Sequence, residues 1–196
     1  MDEDLRDVEN ALSSAGDDTT ILNAARKLRQ LLNNHRETLI QHVLGNHWIP
    51  LLLEWLQPQR CAAVQVEALW ALTNIAAGAS EHTHLLIKHG AVPILISLLG
   101  GSNEEVLEQA IWVLGNLAGE GTSARDVVIN SNAIGPIVLC VQRGCSSLSI
   151  MRIGSWTRSN LCDGQPRPAV DIRVVLPVLS QLLHNGKRLV SSIENI

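Results

Sequence analysis

A chain of 196 residues with 46% hydrophobic and 17% charged side chains can bury a core, which excludes a disordered tail. Its formal net charge of −4 and the lack of any basic run speak against a nucleic-acid binder, which gathers Lys and Arg on one face. The opening "MDEDLRDVENALSS" has no apolar stretch behind a basic start, and no window approaches the roughly 20 apolar residues of a membrane span, so a soluble intracellular protein is expected.

In chain order, residues 1–22 form an acidic N-terminal segment, and "NAARKLRQLLNN" (Asn23–Asn34) has helical apolar spacing. "VLGNHWIPLLLEWL" (Val43–Leu56) and a helix over Ala62–Ala77 follow. A short helix is predicted over Thr83–Lys88, ending where Gly90 of "HGAVP" can turn left-handed. Pro93 suits the first turn of the next helix, because its missing N–H would be unpaired there. That helix, "ILISLL", is apolar almost all round and is expected to be buried. Ser102 or Asn103 would cap a further helix from about Glu104 to Ala118.

The pattern then recurs. "LLIKHGAVPILISLL" (Leu85–Leu99) aligns with "VVINSNAIGPIVLCV" (Val127–Val141) at an offset of 42, and a helix over Leu148–Cys162 closes that unit. "IRVVLPVLSQLL" (Ile172–Leu183) starts another, and residues 187–196 diverge as a tail. Trp70, Trp112 and Trp156 are 42 and 44 residues apart, a period in the armadillo/HEAT range. The expected fold is all-α: a right-handed superhelical armadillo solenoid over residues 23–186, with about three full and two partial units. One repeat cannot cover its own apolar face, so an unfinished C-terminal unit would favour self-association.

The third helix of each unit carries a Trp followed four residues later by an Asn: Trp70 and Asn74, Trp112 and Asn116, Trp156 and Asn160. Helical spacing puts Glu108, Gln109 and Asn116 on the face of Trp112, and Glu67 and Asn74 on that of Trp70. Trp156 shares its face with Arg152, Ile153 and Asn160. The core face falls elsewhere, on Val106, Ala110, Val113, Leu114 and Leu117. Three Trp and three Asn in rows on a polar face point to binding rather than packing. An Asn amide can pair with both the N–H and the C=O of an extended peptide. Slots between Trp rings take aliphatic stems, and ring faces attract their cationic ends. Glu67, Glu108 and Glu120 would hold the charged heads, so the implied ligand is an extended Lys/Arg-rich peptide. Trp48 and Trp55 fall on second-helix positions and read as packing.

"VEALWALTNIAAGASEHT" (Val66–Thr83) and "EQAIWVLGNLAGE" (Glu108–Glu120) closely resemble helices of the importin-α (karyopherin-α) family, and "MRIGSWTRSNLCDG" (Met151–Gly164) resembles them more loosely. The resemblance spans roughly residues 20–185. It implies a nuclear import adaptor of cytoplasm and nucleus, whose main groove for nuclear localisation signals is formed by the three Trp and three Asn. It further implies a deep Lys pocket at Gly78, Thr83 and Glu120, with Gln109 as another groove contact. Glu120 stands where the family has Asp, Ile153 where it has Asn, and Asp163 where it has a basic residue. Gly154 should also weaken its helix by about 0.5–1 kcal/mol relative to Ala. The family's basic N-terminal arm, which binds importin-β, has no counterpart in residues 1–22, where Arg6 is the only base. Recruitment of importin-β through that arm is therefore not expected, and a truncated or alternative product of such a gene is. The competing reading is an armadillo scaffold whose groove is only partly intact.

Other signals are weak. His82, His84 and His89 diverge around a helix and read as surface residues rather than metal ligands. Cys61, Cys140, Cys145 and Cys162 lack C-x-x-C spacing and read as small packing thiols. Neither a phosphate loop nor a nucleophile–base set is recognisable, so neither a cofactor nor catalysis is expected.

Overall fold

The computed structural model describes residues 2–13, 16–143, 147–166 and 168. Among them every regular element is a helix. The chain runs α1 (Asp2–Ser13), α2 (Asp18–Asn34), α3 (Arg36–Gly45), α4 (Trp48–Glu54), α5 (Ala62–Ala76), α6 (Ser80–Lys88), α7 (Ala91–Leu98), α8 (Glu104–Gly119), α9 (Thr122–Asn130), α10 (Ile134–Arg143) and α11 (Leu148–Cys162). Three successive triplets, α3–α5, α6–α8 and α9–α11, are the repeat units, and α1 and α2 precede them. The late partial unit at Ile172–Leu183, the tail 187–196 and Cys145 lie outside the described residues.

Local chemistry repeats with the period. The turn into each second helix uses a left-handed residue: His47 (φ 57°), Gly90 (φ 79°) and Asn132 (φ 61°). His47 and Asn132 pay the cost that Gly90 avoids, since a side chain crowds the following carbonyl in that region. Each long helix starts at an equivalent residue. Asp17 accepts from Thr20 N–H at 2.9 Å, Asn103 from Val106 N–H at 3.0 Å, and Ser147 from Ile150 N–H at 3.5 Å. A cap of this kind contributes about 1 kcal/mol. Cys61 holds the same place before α5 but supplies no side-chain cap. There the Asp18 carboxylate accepts from Cys61 N–H at 2.7 Å and pairs with Arg60 at 3.1 Å. Those hydrogen bonds hold the Asp18 carboxyl below its usual range.

The long helices α2, α5, α8 and α11 stack in sequence order. One continuous apolar cluster runs through the stack, from Val8 on α1 to Leu161 on α11. Val106, Ala110, Val113, Leu114 and Leu117 are all buried, as are Trp48 and Trp55 at 3% exposure each. The helix α1 lies against α2 and α4, with Asp7 paired to Lys27 and Glu9 to His42 at 3.1 Å.

Three expectations are corrected. α7 is not buried all round: Ala91, Val92 and Leu95 face the core, while Ile94, Ile96 and Leu98 are half-exposed. A second helix in this stack has neighbours on one side only, so its outer apolar residues stay partly wet. Cys61 and Cys162 are exposed, and among the described residues only Cys140 is a buried thiol of the expected kind. His82 is buried rather than a surface residue, because its Nδ1 accepts from Ala79 N–H at 3.1 Å and closes the corner between α5 and α6.

Candidate functional site

The long helices α5, α8 and α11 carry the Trp and Asn residues at equivalent positions, and the stack leaves these side chains open to different degrees. Trp112 and Trp156 are exposed, at 37% and 39%, whereas Trp70 is half-buried. Bulky apolar rings are seldom left open to water unless something covers them.

Glycine brings the second and third helices together. A Cβ on Gly115 would run into the Trp156 ring and Thr157 Oγ1, and one on Gly119 would lie 2.7 Å from Asn160 Nδ2. Trp156 therefore rests directly on the backbone of α8. Thr157 donates to the Ile111 carbonyl at 3.0 Å inside the same contact. Gly154 has a similar purpose on the other side, where a Cβ would strike Val141. The cost that Gly carries in a helix is thus offset by closer packing between α10 and α11.

The Asn side chains are tied into the stack. Asn116 Nδ2 donates to the Thr73 carbonyl at 3.3 Å, and Asn160 Nδ2 donates to the Gly115 carbonyl at 3.0 Å. One Nδ2–H of each amide is thus spent between helices, which leaves Oδ1 and the second N–H for a ligand. At the first repeat the bond turns inward, from Asn74 Nδ2 to the Trp70 carbonyl of its own helix at 3.0 Å.

Between the ends of α5, α8 and α11 lies a cleft of about 410 Å³, lined by Gly78, Asn116, Glu120, Trp156 and Asn160 with Ala76, Ala77 and Gly119. Five of the residues singled out in the sequence meet there. Glu120 is half-buried at the C-terminal end of α8 and has no hydrogen-bond or ion-pair partner among the described residues. Gly78 must be glycine because a Cβ would meet the His82 ring. The His82 ring packs against Gly78, a contact that spacing alone did not reveal.

Other predicted residues are placed differently. Thr83 is fully buried and donates to the Ala76 carbonyl at 3.2 Å, so it supports the cleft wall from behind. Gln109 is 8% exposed, with Oε1 unpaired among the described residues. Glu108 accepts from Ser149 Oγ. Asp163 is exposed past the end of α11, and its carboxylate accepts from Gly164 N–H at 2.8 Å. The buried Arg125 secures that turn by donating to the Asp163 and Pro166 carbonyls. Ile153 packs partly against the core.

Glu67 departs most from expectation. It is only 9% exposed, and its carboxylate faces Arg29 Nε at 2.8 Å and Arg26 Nε at 3.8 Å. The Arg29 contact is an ion pair without the alignment of a hydrogen bond. Burial pushes the Glu67 carboxyl up, while Arg29 and then Arg26 pull it down. Arg29 also lies over the Trp70 ring, with Cζ 6.0 Å from its centroid. Neither arginine carried a signal in the sequence, since only the stacking of α2 on α5 brings them to the groove. Among the described residues no three His, Cys, Asp or Glu side chains converge as a metal site.

Residues 79–119 match the armadillo/beta-catenin-like repeat. The chain is 41% identical over 165 residues to importin subunit alpha-2 of Arabidopsis thaliana, covering 84% of this chain and 31% of that one. It is 37% identical over 171 residues to importin subunit alpha-1b of Oryza sativa subsp. japonica, covering 86% of this chain and 32% of that one. The chain thus spans about a third of the length of these curated relatives. Among solved structures, a designed armadillo repeat protein in complex with the peptide (KR)4 superposes with a TM-score of 0.73 at 24% identity, covering 91% of this chain and 69% of that one. That likeness shows the fold.

Proposed function

The chain belongs to the importin-α family of armadillo-repeat proteins, and from that premise we propose that its groove binds Lys/Arg-rich nuclear localisation signals as a non-catalytic adaptor in nuclear import. Its working places would be the cytoplasm and the nucleus.

The observation that carries this reading is the cleft itself. It combines an exposed ring, two Asn amides each anchored by one N–H to the neighbouring long helix, and a carboxylate with no partner among the described residues. Each part suits one part of the ligand. Asn116 and Asn160 Oδ1 accept from peptide N–H groups. The Trp112 and Trp156 faces take aliphatic stems and attract cations, at about 0.5–2 kcal/mol per contact. Glu120 meets an ammonium or guanidinium head at the bottom of the cleft. Stacking Asn160 on Gly119 and Trp156 on Gly115 fixes these groups before a ligand arrives, which lowers the ordering cost of binding.

A fluorescence anisotropy titration with a labelled Lys-Lys-Lys-Arg-Lys peptide tests the proposal. We expect a dissociation constant of roughly micromolar or tighter, rising with salt as the charges are screened. The Trp112→Ala/Asn116→Ala double variant should bind at least about tenfold more weakly, since two ligand contacts are lost. If the wild-type protein binds this peptide no better than a neutral control, the groove has another role and the scaffold reading takes its place.

A further inference from the structure

Building on the peptide-groove reading, we infer that Arg29 closes the Trp70 end of the groove to basic side chains. The chain then selects peptides whose basic run is confined to the Trp112–Trp156 region and whose flank beside Trp70 is neutral or acidic. The repeat makes the three Trp sites equivalent in sequence, but their surroundings are not. At Trp70 the place of a ligand cation is already taken, because the Arg29 guanidinium lies over the ring and its Nε faces Glu67 at 2.8 Å. Arg26 occupies the other oxygen of the same carboxylate at 3.8 Å. Arg36 adds a third cation, with Nη2 donating to the Asn74 carbonyl at 3.0 Å.

An entering Lys would therefore face the Arg29 and Arg26 guanidiniums, with Arg36 held at the Asn74 backbone, opposed by Glu67 and by Glu105, which lies close enough to act on Glu67. It would have to displace Arg29 from both the ring and the carboxylate to gain either contact, and that exchange of one cation for another yields little. An acidic flank would instead meet Arg26, Arg29 and Arg36 with donors to spare. Trp112 and Trp156 have no such guard: no arginine lies over either ring among the described residues, and both are more exposed than Trp70.

The test uses the Lys-Lys-Lys-Arg-Lys core, extended at one end or the other by Lys-Lys or by Glu-Glu, against the wild type, Arg29→Gln and Arg29→Lys. The Arg29 side chain is 39% exposed, so both variants can be compared as folded proteins. For the extension that meets Trp70, the wild type should gain less than about twofold from Lys-Lys and bind the Glu-Glu form at least as well. Arg29→Gln should gain about three- to tenfold from Lys-Lys, the worth of one cation–π contact with one exposed ion pair, and should lose its tolerance of Glu-Glu. Arg29→Lys should stay near the wild type. If the core binds but neither extension changes its preference in Arg29→Gln, the inference is overturned while the groove reading stands. If the core itself does not bind, the groove reading fails and this inference falls with it.

Discussion

Trp70 and Trp156 occupy the same register on α5 and α11, each four residues before an Asn, but they meet different neighbours. Trp156 rests on Gly115, and its Asn160 is stitched to the next backbone. Trp70 faces α2, whose Arg26 and Arg29 reach the carboxylate beside it. Position 73 shows the same contrast from the other side. It is the counterpart of Gly115 one period earlier, and it holds Thr73, whose hydroxyl donates to Leu69 O at 2.9 Å. The lesson is that the Trp and Asn recur with the period, while the flanking helix and the small residues beside them decide which copies remain open.

The largest expected effect sits where the packing is tightest. Gly115→Ala should gain up to about 1 kcal/mol in helix propensity, yet push on Trp156 and Thr157 at an overpacking cost of about 1–3 kcal/mol. The second effect wins if the ring cannot move aside, and we expect a net loss of up to about 2 kcal/mol in urea denaturation, with weaker peptide binding. A neutral or stabilising result would show that α8 and α11 are free to separate, and would dissolve the contrast with α5.

Next come the two Trp compared directly. Trp156→Ala should weaken the core peptide by about tenfold or more, whereas Trp70→Ala should change it less than about threefold, because Arg29 already covers that ring. Calorimetric titration of both variants checks this. Equal losses would mean that the two ends are equivalent after all.

The smallest effect concerns pH. Burial raises the folded-state pKa of Glu67 above its unfolded value, so its favourable contribution is complete below the unfolded value of about 4.5 and is lost as pH rises through the folded one. Arg29 and Arg26 counter this by favouring the charged form. Arg29→Gln should thus cost little near pH 4 and up to about 1 kcal/mol near pH 7, the screened worth of a pair whose arginine is partly exposed, read from urea midpoints at the two pH values. Equal cost at both would remove Glu67 as the partner that matters.

Much of this protein was legible in the sequence because periodicity is a local property. The spacing of Trp70, Trp112 and Trp156 set the unit length. Gly90, Pro93 and Asn103 marked turn, helix start and cap, and each is found in that place. The open face of Trp112 followed from helical spacing, and the buried positions of Trp48 and Trp55 from their place on the second helix of the repeat. What spacing along the chain could not supply was contact across it. Which polar groups are already satisfied depends on residues some 40 positions away: Thr73 for Asn116, Gly115 for Asn160, and Arg26 and Arg29 for Glu67. The helix stack brings those partners within hydrogen-bonding or ion-pairing distance. It turns one repeated motif into an open cleft at Trp156 and a guarded site at Trp70.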